Sequence, residues 1–493
     1  MPVMAALEAA ARAHPRAPAL IGLRERLDID AVVRRAHQVG AWLQRSVPPE
    51  QAVATLVAHT PSGIAAILGC VAGGRTAIPL NPTDPLDRLA AQLDDAGAGV
   101  VLTDRALLPD LPPRTRVLDV RDCGGAADAL SGAAGHDPDA PCMVHYTSGS
   151  SGRPKGVAVS AYNILFRAFQ NIDGLRLGPG SRVLTAFGPE SSARIAMIVA
   201  ALARGGAVLV ASLAADGAGA VVRLCGLGRA DVLVVPTPVL GNLLALESAG
   251  AAFAHLRIVR LGAAAATAAD VACWRARLPP GCAMTHSYGS TEAMIIAELS
   301  VPHDPAGEEA IVAIGHVRPG LEYAIVGEDG TPVADGDCGL IVRGRYVAAG
   351  EWQAGRFLSG RMQPDPARPG TRVFRTGDRL RSGADGMLRF VGRADRQIKV
   401  NGVRVEPAEI EAVLRARPAV RDVAVVASAG VLHAFVAAPR AEAGPLREAL
   451  VERMRAALPS ALRPRHVSVV GSLPTLPGGK VDVQALRTLA VRR

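Results

Sequence analysis

Short apolar runs rich in β-branched residues alternate along this chain with longer stretches in which apolar residues recur at helical spacing. Residues 52–58, 100–103, 208–210, 232–235 and 258–261 read as buried strands, and residues 62–72 and 195–203 as helices. Strand–helix alternation of this kind predicts an α/β fold of parallel sheets covered by helices. After about Glu322 the texture changes. Gly327, Gly330, Gly336, Gly339 and Gly344 separate brief strands with no long helix between them, which predicts an antiparallel sheet or small barrel over about residues 322–392. From Pro407 the order becomes a helix to Ala416, strands near 420–426 and 432–436, a helix near 446–457 and a strand at 466–470, a compact α+β unit. The loosest stretches are residues 124–140 and 363–370, and no internal repeat is visible.

Composition narrows the picture. With 493 residues, 49% hydrophobic and 20% charged, the chain has ample material for at least two globular domains. Aromatic residues make up only 3%, which speaks against nucleic-acid recognition by stacked bases. The formal net charge is +9, and the stretch from Arg393 to Arg493 carries seventeen Lys/Arg against nine Asp/Glu, so nearly all the excess lies in the last fifth. A localised basic face can steer an acidic partner or substrate, or simply solvate Arg-rich helices. Seven cysteines, at 70, 123, 142, 225, 273, 282 and 338, form no Cys-x-x-Cys pair and are odd in number. That pattern predicts neither a disulfide framework nor a thiolate metal cluster, and a reducing, cytoplasmic setting fits it. Glu8, Arg12 and Arg16 interrupt the alanine-rich start, which therefore reads as an amphipathic helix rather than a signal peptide. The most apolar run, residues 195–203, is too short to cross a bilayer, so no membrane association is expected.

Five segments carry candidate chemistry. Tyr146-Thr-Ser-Gly-Ser-Ser-Gly-Arg-Pro-Lys-Gly156 packs Thr147, Ser148, Gly149, Ser150, Ser151, Gly152 and Lys155 into one loop. Glycines let backbone N–H groups approach an anion, hydroxyls donate to it and a lysine balances its charge. It is not a P-loop, because Pro154 rather than glycine precedes the lysine. Ser287-Tyr-Gly-Ser-Thr-Glu292 offers Tyr288 for stacking on a base, Thr291 for a phosphate oxygen and Glu292 for Mg2+. Arg375-Thr-Gly-Asp378 sets a carboxylate beside a glycine, suited to ribose hydroxyls. The segment from Gly392 to Glu411 holds Arg393, Asp395 and Lys399, and Leu476-Pro-Gly-Gly-Lys-Val-Asp482 puts Lys480 on a flexible tip.

In this order the segments resemble the adenylate-forming superfamily: acyl-CoA synthetases, aryl-acid ligases, luciferases and the adenylation domains of nonribosomal peptide synthesis. The resemblance spans nearly the whole chain. The stretch Gly73-Gly-Arg-Thr-Ala-Ile-Pro-Leu-Asn-Pro-Thr-Asp-Pro85, with Arg88 and residues 101–104, looks most like the peptide-synthetase branch. The resemblance implies a large N-terminal domain of two αβ subdomains plus the small β-rich subdomain at residues 1–392. It also implies a hinge at 393–396 centred on Asp395 and a mobile C-terminal domain at 397–493. The implied activity has two steps: a carboxylate attacks the α-phosphate of ATP to give an acyl-adenylate and pyrophosphate, and a thiol then displaces AMP. In such enzymes the loop from Thr147 to Lys155 handles the β- and γ-phosphates, and Gly262, Ala263 and Ala264 lie along the adenine. His286, Ser287, Tyr288, Gly289 and Ser290 complete the nucleotide site, with Tyr288 stacked on the base. Thr291 and Glu292 serve the α-phosphate and Mg2+, and Asp378 binds the ribose. Lys480 bridges the substrate carboxylate, the α-phosphate and the ribose until domain rotation replaces it with the face bearing Arg393 and Lys399. The thiol acceptor implied is the phosphopantetheine of an acidic carrier protein, or coenzyme A.

The chain departs from that branch where the acid should bind. Amino-acid-selecting members carry a Phe-Asp pair whose aspartate holds the substrate ammonium, whereas this chain reads Phe187-Gly-Pro-Glu-Ser-Ser-Ala-Arg194. Ser192 falls near the aspartate position, so either Glu190 replaces it or the acid lacks an α-amine; a buried ammonium without a carboxylate is costly. Phe187, Glu190, Ser191, Ser192, Ile295 and Ile296 are the candidate acyl pocket, and His286 stands where many members have asparagine. Only thirteen residues follow Lys480, with no Asp-Ser carrier attachment site, so a free-standing enzyme loading a separate carrier is expected. The acid is a carboxylic acid, with an unusual amino acid among the candidates. The alternatives are a ligase making a soluble CoA thioester and a catalytically silent homologue acting as a binding subunit.

Overall fold

The structure is a computed structural model. It describes residues 2–104, 115–123, 137–147, 155–264, 266, 268–302, 312–327, 331, 336–383, 385–393, 398–400, 403–415, 417, 419–439, 443–474 and 481–491. The chain divides into two compact units: Met1–Pro82, Leu93–Tyr146 and Gly156–Gly392 form the first, and Thr83–Gln92, Thr147–Lys155 and Arg393–Arg493 the second.

Two large sheets organise the first unit. One has nine strands, ordered His316–Val317, Met294–Ser300, Ala283–Ser290, Ile258–Gly262, Val232–Pro236, Arg182–Thr185, Ala207–Val210, Pro18–Gly22 and Arg26–Asp28. From Ala283–Ser290 to Pro18–Gly22 every pairing is parallel, and antiparallel strands flank that block on both sides. The inner strands read Val-Leu-Val-Val and Ile-Val-Arg-Leu because helices cover both faces and leave no solvent side. The other sheet has eight strands, ordered Arg356–Leu358, Gly350–Gln353, Lys155–Ser160, Pro141–Thr147, Ala77–Pro79, Val53–Leu56, Val100–Thr103 and Arg116–Asp119. One core runs through both sheets and the helices Pro2–Ala13, Ile29–Ser46, Pro61–Ala72, Ala161–Leu175 and Ser192–Ala203, and a second, including Leu209, Leu233 and Phe253, packs on the nine-stranded sheet. A five-stranded sheet, built from Glu322–Val326, Gly336–Gly344, Arg372–Ser382, Gln363–Pro364 and Leu388–Arg393, accounts for the glycine-punctuated region.

The second unit has its own core, with Val405, Ile410, Leu414, Val436, Leu450 and Met454 buried between sheet and helices. Its sheet pairs Asp422–Ser428 antiparallel with Val431–Ala437, which runs parallel to His466–Val470. Helices Pro407–Arg415, Ala443–Ala457 and Val483–Val491 complete it. Arg88 reaches the largely buried Glu409, so the short segment Thr83–Gln92 belongs with this unit through a charged contact. Among the described residues, no helix is long and apolar enough to cross a membrane.

Helix Ala161–Leu175 is anchored at both ends. Ser160 caps it with a reciprocal box: its Oγ accepts from the Asn163 N–H at 3.2 Å and its own N–H donates to Asn163 Oδ1 at 3.0 Å. Asn163 also donates to the carbonyls of Tyr346 and Val347, at 3.1 and 3.2 Å. The helix ends at Arg176, whose left-handed φ of 51° turns the chain away. Start, end and rotation of the helix are thereby fixed, and so is the face from which each of its residues projects.

Candidate active site

The hairpin formed by Ala283–Ser290 and Met294–Ser300 carries the Ser287–Glu292 motif. Gly289 is required at its turn, because a Cβ there would sit 1.9 Å from the Met294 carbonyl oxygen. Ser287 Oγ donates to the Leu261 carbonyl at 3.0 Å, and Thr237 Oγ1 lies 3.1 and 2.9 Å from the carbonyls of Gly262 and Ala264. Ala263 between them takes a φ of 66°, a strained value for a residue with a Cβ. His286 is buried, its ring nitrogens lying 3.0 Å from the Ala264 carbonyl and 3.2 Å from that of Ala313. Residues 262–264 and 286–288 are therefore one hydrogen-bonded assembly rather than independent loops.

Tyr288 is 6% exposed and its hydroxyl donates to the Asp378 carboxylate, itself 6% exposed. The structure thus joins two motifs ninety residues apart. Asp378 is presented by a bulge inside the strand Arg372–Ser382, where Gly377 has a φ of 71° that favours glycine, and by Thr376, whose Oγ1 accepts the Asp378 N–H at 3.2 Å and donates to the Leu340 carbonyl at 3.1 Å. Glu292 is fully buried and pairs with Arg361 at 2.7 Å; Arg361 also reaches Glu351 at 3.1 Å. Burial opposes the Arg361 charge, but Glu292 and Glu351 outweigh it and hold its pKa above the usual value.

Thr291 connects this hairpin to the candidate acyl pocket. Its Oγ1 lies 3.1 Å from Ser192 Oγ, and Ser192 opens the buried helix Ser192–Ala203. Arg167, on helix Ala161–Leu175, donates to the same Ser192 Oγ at 3.2 Å. Gln170, one turn further along, clamps Ile295 from both sides: Nε2 donates to its carbonyl at 2.7 Å and Oε1 accepts its N–H at 3.2 Å. Ile295 and Ile296 are buried, and Ile296 is part of the main core. Ser191 is the N-cap residue of the Ser192 helix but makes no side-chain cap bond. Phe187 packs against the core and gives its carbonyl to Arg194 Nη1 at 2.9 Å. Arg194 is 1% exposed; burial pulls its pKa down to about 9 against the opposing pull of Glu190. The backbone carbonyl of Glu190 accepts from His145 Nδ1 at 2.8 Å, and burial lowers the pKa of that imidazole to about 4.

Of the stretch from Thr147 to Lys155, the two end residues are described, with Thr147 Oγ1 donating to the Lys155 carbonyl at 3.3 Å. Ser148, Gly149, Ser150, Ser151, Gly152, Asp395 and Lys480, and the side chains of Arg393 and Lys399, lie outside the described residues. Arg167, Gln170 and Arg361 pair with candidate site residues yet lie outside every motif read from the sequence. The available signal was on helix Ala161–Leu175, where Asn163, Gln170 and Asn171 are buried among apolar neighbours.

The donor set suits a metal that arrives with a nucleotide. Among the described residues no group of three or more His, Cys, Asp or Glu could hold one alone. The hairpin nevertheless offers the Glu292 carboxylate, the Thr291 hydroxyl and a buried Ser290 Oγ that has no partner among the described residues. Mg2+ commonly takes one or two carboxylates and completes its shell with phosphate and water. Glu292 and phosphate oxygens would hold it here.

A parallel double-sheet core, a β-rich sheet and a small α+β unit bearing nucleotide-type motifs define the adenylate-forming fold. The chain belongs to the AMP-binding enzyme family: the family pattern matches residues 7–352, and that of the AMP-binding enzyme C-terminal domain matches residues 409–480. It is 32% identical over 469 residues to the probable non-canonical nonribosomal peptide synthetase CymA of Salinispora arenicola, covering 92% of this chain and 6% of that protein. It is 29% identical over 498 residues to novobiocin biosynthesis protein H of Streptomyces niveus, covering 96% and 80%. The chain thus spans a small fraction of the first of these relatives and most of the second. Among solved structures it resembles the amide bond synthetase McbA of Marinactinospora thermotolerans, with a TM-score of 0.80, 25% identity and coverage of 97% and 99%.

Proposed function

We propose that this chain activates a carboxylic acid with ATP, forming an acyl-adenylate and releasing pyrophosphate, and then passes the acyl group to the phosphopantetheine thiol of a separate carrier protein. The observation that carries the reading is the continuous link from Asp378 through Tyr288 and Thr291 to Ser192. It joins a carboxylate suited to ribose, a hydroxyl suited to the α-phosphate and the helix that starts the acyl pocket.

A carboxylate is a poor electrophile until one of its oxygens becomes part of a good leaving group. In this reading Tyr288 and residues 262–264 hold the adenine, Asp378 takes the ribose, and Thr291 orients the α-phosphate beside the incoming acid. Lys155 and the loop ahead of it hold the departing pyrophosphate. Lys480 contributes positive charge where the pentavalent phosphorus accumulates negative charge, the place where a fixed cation helps most. Bound Mg2+ supplies further neutralisation of phosphate charge. The basic last fifth of the chain suits an acidic carrier, and rotation at Asp395 would exchange Lys480 for the face of Arg393 and Lys399 before thiol transfer.

The test is acid-dependent pyrophosphate release, followed by separate offers of a phosphopantetheinylated carrier and of coenzyme A. Acid-dependent release with carrier acylation is expected. Acylation of coenzyme A alone would replace the carrier reading by that of a soluble ligase, and ATP consumption independent of every acid would leave a silent binding homologue.

A further inference from the structure

Beside Ser192, a candidate acyl-pocket residue, lies a charge that the proposed chemistry does not use. Arg167 is half-buried on helix Ala161–Leu175, and its described hydrogen bond goes to a neutral oxygen, Ser192 Oγ. The arginines of the adjoining ion-pair cluster are differently placed. Arg260 pairs with Glu298 at 2.6 Å, and Arg318 pairs with Asp173 at 2.5 Å and with the same Glu298. Among the described residues, Arg167 has no carboxylate within ion-pair distance; the charged group acting on it is Arg260, of like sign. Burial, with Arg260, lowers its pKa to about 10, so at neutral pH it remains a cation.

The helix that carries Arg167 is held in place. The capping box at Ser160 and the Gln170 clamp on Ile295 fix the helix against the hairpin, and a guanidinium presents its donors in a rigid fork that matches a carboxylate. Ser192 Oγ stands between this fork and Thr291, at 3.2 and 3.1 Å. An acid whose reacting carboxylate lies by Thr291 therefore brings the rest of its acyl portion to Arg167. An ammonium group there would meet like charge, whereas an anion would supply the missing partner.

We propose that Arg167 determines which acid is accepted, by binding a second carboxylate on the acyl portion, so that the substrate is a dicarboxylic acid rather than a simple α-amino acid. This inference rests on the adenylation reading above and concerns only the choice of acid. Ser192 then serves as a positioning residue that holds the guanidinium when no acid is bound and shares the incoming carboxylate.

The experiment measures acid-dependent pyrophosphate release with matched sets: malonate, succinate, glutarate and phthalate; the monocarboxylates propionate, butyrate, valerate and benzoate; and alanine, valine and leucine. Wild-type protein should prefer at least one dicarboxylate to its monocarboxylate counterpart. Arg167→Ala should raise the KM for that dicarboxylate by about 30-fold or more, the cost of leaving a buried carboxylate unpaired, while leaving the KM for ATP within about twofold. Arg167→Lys, which keeps the charge without the fork, should fall between the two, and it carries the same comparison if truncation impairs folding. Preference of the wild type for a monocarboxylate or an amino acid would overturn the inference while leaving adenylation standing. So would an Arg167→Ala variant that lowers kcat equally for all acids with KM unchanged. Absence of acid-dependent release with every compound, including a wider amino-acid panel, would overturn the adenylation reading itself.

Discussion

Replacing Arg361 by alanine tests how the buried carboxylate of Glu292 is held. Glu292 has no exposure, and Arg361, with a side chain 36% exposed, lies 2.7 Å from it and 3.1 Å from Glu351. Two unit charges about 4 Å apart interact by about 4 kcal/mol at an effective dielectric constant near 20. Solvent reaching the guanidinium screens roughly half of that. Arg361→Ala should therefore cost about 2 kcal/mol, which for a unit of this size corresponds to a fall of roughly 2–4 °C in melting temperature. Glu292→Gln should cost less, about 1 kcal/mol or under, because the amide oxygen can still accept from Arg361 and Arg361 retains Glu351. The order reverses for function. Arg361→Ala leaves Glu292 available to Mg·ATP, so ligand should raise its melting temperature more than it raises that of the wild type. Glu292→Gln should lose most of that rise and most pyrophosphate release. Differential scanning with and without Mg·ATP, beside the release assay, reads both quantities. An Arg361→Ala variant that melts with the wild type, or a Glu292→Gln variant with an undiminished Mg·ATP shift, would refute the reasoning.

Three further outcomes are expected. Gly289→Ala forces a Cβ to within 1.9 Å of the Met294 carbonyl oxygen, so it should cost about 3 kcal/mol, with a matching drop in the urea midpoint and loss of pyrophosphate release. His145 has a pKa of about 4 when folded, against 6.5 when exposed. The unfolded chain therefore takes up its proton first as pH falls. Stability should be full above pH 6.5 and decline by about 3 kcal/mol towards pH 4; a His145→Gln variant whose urea midpoint falls as steeply over that range would assign the acid sensitivity elsewhere. Lys480→Ala should abolish adenylate formation yet spare thiol transfer from a supplied acyl-adenylate, and equal loss of both half-reactions would contradict that division of labour.

Local periodicity carried the secondary structure well because its signals are local. The strand at His466–Val470 has the bounds its alternation predicts, and the apolar run from Ile195 extends back to Ser192 because Ser191 and Ser192 suit a helix start. The loose stretch beginning at Gln363 instead holds the short strand Gln363–Pro364, pinned to Val373 and Arg372 by partners that no local window contains. Helix Val483–Val491 gives little local signal because it is short and follows a glycine-rich tip. The candidate nucleotide residues all lie in compact motifs, which a local reading can find. Arg167, Gln170 and Arg361 do not, since their partners lie 25, 125 and 69 positions away and only folding creates the pair.

The Tyr288 hydroxyl already occupies Asp378 in this structure. If Asp378 takes the ribose as proposed, nucleoside binding there is a substitution, with phenol leaving as sugar arrives. A ribose offering two neighbouring hydroxyls replaces one hydrogen bond by two, whereas a deoxyribose with one merely exchanges like for like. Preference for ATP over its deoxy analogue would thus come from an internal competitor that weak ligands fail to displace, with no clash required to exclude them.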